Sequence, residues 1–223
     1  LKLAPDDAGL LQGLALTERS QGRWEEALAH LRRARELDPR SWESEEALGL
    51  TLLFLRRTGE AREACDRGLV LAPANLELIK TKAMTFLQAG DLAGARAVVA
   101  AAPREVEPTA LVVFFALYSD LHWVLDDAQR GVLLRLTPGA FDGDRASWGI
   151  VLAQAWALHG DQAKARECAE EARKASVAQS AEARDREPNV VLGLALAYLG
   201  RKEEALREGE RALALQAIAK RPL

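Results

Sequence analysis

Apolar side chains near the start of this chain recur at three- and four-residue intervals, in two segments separated by polar positions around Gly22. The first segment runs from Ala8, and the second ends at Leu37-Asp38-Pro39. Because residues three and four apart lie on one face of a helix, the pattern predicts two amphipathic helices joined by a short turn. Aromatic residues make up only 5% of the chain, which favours packed helices over strands.

Three prolines show that this helix pair is one copy of a repeat. Pro5, Pro39 and Pro73 stand 34 residues apart, and each follows the apolar end of a predicted helix. A fixed period of this length is typical of repeat proteins, in which each unit buries its apolar face against the next. The 223 residues leave room for about six such units.

Within the first unit, counted from Ala8, small and bulky residues occupy regular places: Leu11, Leu14, Ala15, Gly22, Ala27, Leu31, Ala34 and Pro39. Small residues are needed where helices cross at about 8–10 Å. The arrangement resembles the tetratricopeptide repeat, and only Glu18 departs strongly from that family's pattern. The resemblance implies an all-α fold, a right-handed α-solenoid of about six helix-turn-helix units with the fourth divergent.

The second and third units each carry one irregularity. The second begins at Trp42, but its turn glycine has moved to Gly59 and Arg56 stands at the usual glycine place, so we expect a different turn. The third begins at Leu76 and breaks at Pro103. Its second helix should be short, because a proline inside a helix removes a backbone hydrogen bond.

The remaining sequence predicts one divergent unit and two regular ones. In the divergent unit, helices are expected to start at Pro108 and near Asp126. The helix from Gln162 has no stop signal before Pro188 and should be long. The predicted organisation is a remnant of a preceding repeat at 1–5, three units at 6–103, the divergent unit at 104–141 and two units at 142–223. Since the first residue is Leu1, we interpret the chain as a fragment of a longer, bacterial protein.

Charge and hydropathy argue against two classes of partner. Thirty basic and thirty-three acidic side chains leave a net charge of −3, without a long block of one sign. Nucleic acid is not expected as a partner, because its phosphates call for a clustered basic surface. The longest apolar run, from Ala110 to Leu117, is too short to span a bilayer, so no membrane partner is expected either. A cytoplasmic location follows only as a default.

Candidate catalytic and metal-binding residues are few. His30, His122 and His159 stand in no metal-binding or catalytic motif, and His122 is the least explained of the three. Asp142-Gly143-Asp144 resembles the start of a calcium loop, but Ala153 occupies the place of the required glutamate, so Asp144 is interpreted as a helix cap. We therefore predict no enzyme, no metal and no cofactor. Two further residues are predicted to be small buried hydrophobes: Cys65 and Cys168.

The family resemblance also implies a binding groove. In such repeats the first helices line a concave face, and their second, fifth, ninth and twelfth places point into it. The candidate groove residues selected in this way are Gln12, Leu16, Arg19, Glu46, Leu50, Leu53, Lys80, Met84, Leu87, Ile150, Gln154 and Leu194. We expect an apolar floor with Gln12, Lys80 and Gln154 orienting a partner. Alternatively, a tightly wound superhelix buries some of these leucines against the next repeat.

Two functions follow from this resemblance. The leading hypothesis is a non-enzymatic scaffold that binds a protein or peptide segment in its groove. Gln12 and Leu16 replace the Lys and Asn of the family's chaperone-tail clamp, so that ligand is not expected. The alternative is a regulatory or sensory region of a larger bacterial signalling protein, such as a kinase, a cyclase or a transcription regulator. Exposed repeat ends predict weak self-association.

Overall fold

The computed structural model describes residues 7–118, 120–182 and 190–219, and all regular secondary structure in these ranges is helical. The predicted all-α class is therefore confirmed. Two compact units divide the chain, the first ending at Glu107 and the second beginning at Pro108. The predicted repeat remnant at 1–5 and the predicted stop at Pro188 lie outside the described residues. None of the helices in the described ranges is both long and apolar enough to span a membrane.

The first unit contains three helix pairs. Their first helices start directly after Asp7, Ser41 and Asn75, whose side chains each accept a hydrogen bond from the backbone N–H three residues later. Such caps satisfy backbone donors that a helix start would otherwise leave free. The helices are α1 (Ala8–Ser20), α2 (Trp24–Leu37), α3 (Trp42–Phe54), α4 (Thr58–Leu71), α5 (Leu76–Gln88) and α6 (Leu92–Ala100). The nine-residue α6 ends before Pro103, as predicted.

The turn of the second pair does not differ from the others, so that prediction is wrong. Arg56 has a φ of 61°, in the left-handed region, where Gly22 has 76°. The N–H of Arg56 donates to the carbonyl of Leu53 at 3.1 Å, as the N–H of Gly22 donates to Arg19 at 3.0 Å. The turn thus has the same geometry and the same helix-closing hydrogen bond in both repeats, although one has arginine and the other glycine at this place. Gly59 lies inside α4 and has no part in the turn.

Small residues bring α3 and α4 close together. A Cβ atom added at Gly49 of α3 would lie 2.9 Å from the Sγ atom of Cys65 on α4. Cys65 is buried, as predicted, and burial raises the pKa of its thiol to about 12. The core around this contact consists of Ala15, Ala27, Leu28, Leu31, Leu48, Leu52, Leu53, Ala61 and Ala64.

The second unit begins with the divergent pair. α7 (Pro108–Val113) starts at the predicted proline and continues directly into a π-helix (Phe114–Tyr118), which the sequence pattern does not predict. A short 3-10 helix (His122–Val124) follows, and then α8 (Asp127–Leu133). Asp126 caps α8, and Gln129 completes the capping box, so the predicted start near Asp126 is confirmed.

Two regular pairs complete the second unit after a 3-10 helix (Pro138–Phe141). They are α9 (Arg145–His159) with α10 (Gln162–Glu182), and α11 (Val190–Tyr198) with α12 (Lys202–Ala219). Asp144 caps α9 as predicted, and the predicted long helix α10 has 21 residues. α9 and α10 cross closely at Gly149, where an added Cβ atom would lie 2.8 Å from the backbone nitrogen of Ala172.

Candidate partner-binding surface

Four of the predicted groove residues line one cleft in the first unit. This cleft, here called the α1/α3 cleft, has a volume of about 320 Å³ and is bounded by Gln12, Leu16, Arg19 and Glu46, with Ala47 and the small residues of α1. Leu16 is 62% exposed. A large apolar side chain with this exposure beside a concave surface is available for contact with a partner.

Gln12 has a different role from the one predicted. Its Nε2 atom donates to the hydroxyl of Ser41 at 3.3 Å and also to the hydroxyl of Ser44. Both serines belong to the start of the second repeat, and Ser44 is fully buried. The amide group of Gln12 therefore joins α1 to α3, and its nitrogen is not free to orient a partner.

Leu53 and Ile150 were predicted to line the groove, and the structure corrects both positions. Leu53 is only 2% exposed, because α5 packs over this end of α3 and Gln88 donates a hydrogen bond to the Leu53 carbonyl at 2.8 Å. Ile150 is 4% exposed and packs in the core of the second unit with Ala195 of α11. The alternative, burial of a groove leucine against the next repeat, therefore holds at Leu53.

Leu50 and Met84 are intermediate cases. Both are half-buried and pack against the core of the first unit. Leu87 and Lys80 are also half-buried, so the floor of the predicted groove is less open than the sequence suggested. Leu16 is the large apolar groove residue that the first unit leaves mainly exposed.

Charged residues from three helices meet beside the α1/α3 cleft. Lys80 of α5 pairs with Glu77 one turn earlier. Burial and the nearby charge of Glu77 raise the pKa of the Glu46 carboxyl, while Arg19 of α1 and Lys80 act in the opposite direction. The predicted groove places of α1, α3 and α5 are therefore close enough to influence one another electrostatically.

The second unit has a separate apolar cleft between α11 and α12. Its volume is about 700 Å³, and Leu194, at 39% exposure, is the predicted groove residue that lines it. Val190, Leu206 and Leu213 are exposed in the same cleft. Gln154 is half-buried on α9 and does not line this cleft.

The expected weak self-association stays a prediction.

His30 has a structural role that the sequence analysis missed. Its Nδ1 atom lies 2.7 Å from a carboxylate oxygen of Glu18, which is buried between the first two helices. The available signal was Glu18 itself, since a charged residue at a core place requires a buried partner. His30 therefore stabilises the first repeat.

His122 in the divergent pair is mostly buried, and burial lowers the pKa of its imidazole. Its Nδ1 atom has no hydrogen-bond partner in the described residues and lies 3.9 Å from the exposed carboxylate of Asp120.

Across residues 7–118, 120–182 and 190–219, no three His, Cys, Asp or Glu side chains are grouped so that they could hold a metal ion.

Comparisons with known proteins identify the repeat and the fold. The tetratricopeptide repeat model matches residues 8–50. The solved structure of Pseudomonas aeruginosa pilF is 17% identical, with 95% of this chain and 91% of that chain covered and a TM-score of 0.54. A tetratricopeptide repeat protein from Parabacteroides merdae is 16% identical, with 95% and 80% covered and a TM-score of 0.58. No curated protein matches the sequence. The predicted tetratricopeptide repeat is confirmed over residues 8–50, and the structural likeness at this identity concerns the fold alone.

Proposed function

We propose that the first unit, in which residues 8–50 match the tetratricopeptide repeat, is a non-enzymatic module that binds a segment of a partner protein at the α1/α3 cleft. Proteins of this repeat family are generally non-catalytic adaptors that bind protein or peptide partners. The proposal concerns the surface formed by the first helices of the first two repeats, which carry Leu16, Arg19 and Glu46.

The observation that supports this proposal is the exposure of Leu16 within a formed cleft. Leu16 lies on the same helix as Ala15, which is fully buried, so the helix itself is held firmly by the core. A rigid helix that presents one large apolar side chain beside a concavity suits an apolar side chain of a partner. Burial of this leucine would contribute on the order of 1–2 kcal/mol to binding.

The described residues give no support to a catalytic function. His30 is engaged by Glu18, and the two cysteines have thiols whose pKa values are raised by burial, to about 12 for Cys65 and about 11 for Cys168. A thiol with a raised pKa is a poor nucleophile at neutral pH, because the thiolate is the reactive form. His30 and the two cysteines are therefore explained by the fold.

The test is a selection of binding peptides followed by site-directed substitutions. A random-peptide display library is selected on the wild-type chain, and the enriched peptides are synthesised with a fluorescent label. We expect Leu16→Asp to weaken their binding at least about tenfold, because a charge would be desolvated in the contact. Fluorescence anisotropy measures the affinity, and circular dichroism checks that the helix content is unchanged.

Val70→Asp is the matched control, because Val70 is also exposed in the first unit but lies on α4, outside the cleft. This control should bind the peptides like the wild type. Equal affinities for Leu16→Asp and the wild type, or an equal loss in both variants, would contradict the proposed site.

A further inference from the structure

The carboxylate of Glu46 lines the α1/α3 cleft without a close partner among the described residues. Glu46 is half-buried on α3, and no hydrogen bond or ion pair within 4 Å holds it among the residues that the structure describes. By contrast, the neighbouring Glu45 forms a two-pronged pair with Arg67, and Glu77 pairs with Lys80. A carboxylate that is partly removed from water and left unpaired is unfavourable in the free protein.

The surroundings of Glu46 favour additional positive charge. Burial and the charge of Glu77 together outweigh the attraction of Arg19 and Lys80, because the pKa of the Glu46 carboxyl remains raised. Lys80 is already engaged by Glu77, and Arg19 forms no ion pair with Glu46 within 4 Å in the described part of the chain. A further cation placed at Glu46 would offset its desolvation and its repulsion from Glu77.

The cleft beside Glu46 has an apolar wall. Leu16, Ala47 and the backbone of Gly13 line it, and its volume of about 320 Å³ is at the lower end of the range for small ligand sites. Nothing in the fold fills the space next to Gly13, since an added Cβ atom there would meet no heavy atom within 4 Å. The cleft therefore offers an apolar wall with the carboxylate of Glu46 on the same cleft.

We propose that the partner segment inserts a lysine or arginine side chain into the α1/α3 cleft, with its aliphatic stem along Leu16 and Ala47 and its charged end on the carboxylate of Glu46. Lysine and arginine suit such a site, because each combines an apolar stem with a cationic end. Their hydrogen bonds to a carboxylate are charge-assisted and stronger than neutral ones. This inference rests on the proposed function, since it names the partner chemistry of the same surface.

The experiment extends the peptide selection to two charge variants. Glu46→Gln removes the proposed acceptor charge, and Glu63→Gln removes the same charge from an exposed position on α4. Selections on the wild type and on Glu63→Gln should enrich peptides that carry a lysine or arginine beside aliphatic residues. Selection on Glu46→Gln should lose the preference for the basic residue.

A synthetic pair of peptides then measures the interaction directly. In one selected peptide the basic residue is replaced by norleucine, which keeps the aliphatic stem and removes the charge. We expect this replacement to weaken binding to the wild type by about tenfold and binding to Glu46→Gln by less than about twofold. An equal effect of norleucine on both proteins would overturn the inference.

The outcomes separate the two proposals. Peptides that bind in a Leu16-dependent way without a basic residue would overturn this inference and leave the proposed function in place. A wild-type selection that enriches no peptide, or only peptides insensitive to Leu16→Asp, would overturn both. Loss of binding in Glu63→Gln as well would assign the effect to net charge and would also overturn the inference.

Discussion

Glu18 and His30 form a partly buried polar contact in the first repeat, with 2.7 Å between a carboxylate oxygen and the Nδ1 atom. Arg23 lies 3.7 Å from the other carboxylate oxygen, at the turn between α1 and α2. Glu18 is 3% exposed and therefore depends on these partners. At the same place the other regular units carry apolar residues: Leu52, Phe86, Trp156 and Leu196.

Removal of His30 alone should lower the free energy of unfolding, whereas replacement of both Glu18 and His30 by leucine should not. We expect His30→Ala to lower the free energy of unfolding by about 1–3 kcal/mol, because it leaves a buried acceptor unsatisfied. The double variant Glu18→Leu with His30→Leu should be as stable as the wild type or more so, as apolar replacements of buried polar pairs often are. Urea unfolding followed by circular dichroism measures both. A His30→Ala protein as stable as the wild type would show that the contact carries no stability.

The turn at Arg56 stores backbone strain that glycine would release. A non-glycine residue in the left-handed region costs about 1 kcal/mol or more, and Arg56 has a φ of 61°. We expect Arg56→Gly to raise the free energy of unfolding by about 0.5–1 kcal/mol, after allowance for the greater freedom of glycine in the unfolded chain. Gly22→Ala, at the same place of the first repeat, should lower it by a similar amount. Thermal unfolding of both variants checks the opposite signs.

The sequence period predicts which face of a helix is apolar, but not how closely the next helix covers that face. For this reason the small residues Ala27 and Ala34 are buried as predicted, whereas Leu53 and Ile150 do not line the predicted groove. Their burial depends on where α5 and α11 lie, which is a property of packing between repeats. Leu16 belongs to the same class of position and is exposed.

Polar residues show the same limit in a different form. Glu18 is recognisable from sequence as a departure from the repeat, but its partner His30 is 12 residues away and becomes evident only when α1 and α2 pack together. Gln12 reaches Ser41 and Ser44 of the next repeat in a similar way. Arg56 is recognisable as a missing glycine, yet the helix-closing hydrogen bonds keep the turn unchanged. Pairings across helices were therefore not predictable from the period alone.

Close helix packing in the second unit should make Gly149 intolerant of a side chain. An alanine there would place its Cβ atom 2.8 Å from the carbonyl oxygen of Cys168, which belongs to the backbone of α10 and cannot move alone. We expect Gly149→Ala to cost about 1–3 kcal/mol of stability. Gly209→Ala is the control, because the space around Gly209 is open and alanine favours the helix by about 0.5–1 kcal/mol. Denaturant unfolding should give opposite signs, and a neutral Gly149→Ala would refute the close crossing.

Glu46 should reduce the stability of the free protein at neutral pH. Burial and the charge of Glu77 raise the pKa of its carboxyl above the ordinary value in the folded state. Above the folded-state pKa, the ionised Glu46 carboxylate therefore has its full destabilising effect on the fold. This effect disappears as the pH falls below the pKa that the group has in the unfolded chain. We expect Glu46→Gln to raise the melting temperature at pH of about 7 and to have no such effect near pH of about 4. Glu60→Gln should act in the opposite direction at neutral pH, because hydrogen bonds from Arg57 lower the pKa of Glu60. Differential scanning calorimetry at both pH values tests this, and a melting temperature lowered by Glu46→Gln at neutral pH would mean that the carboxylate is already paired in the free protein.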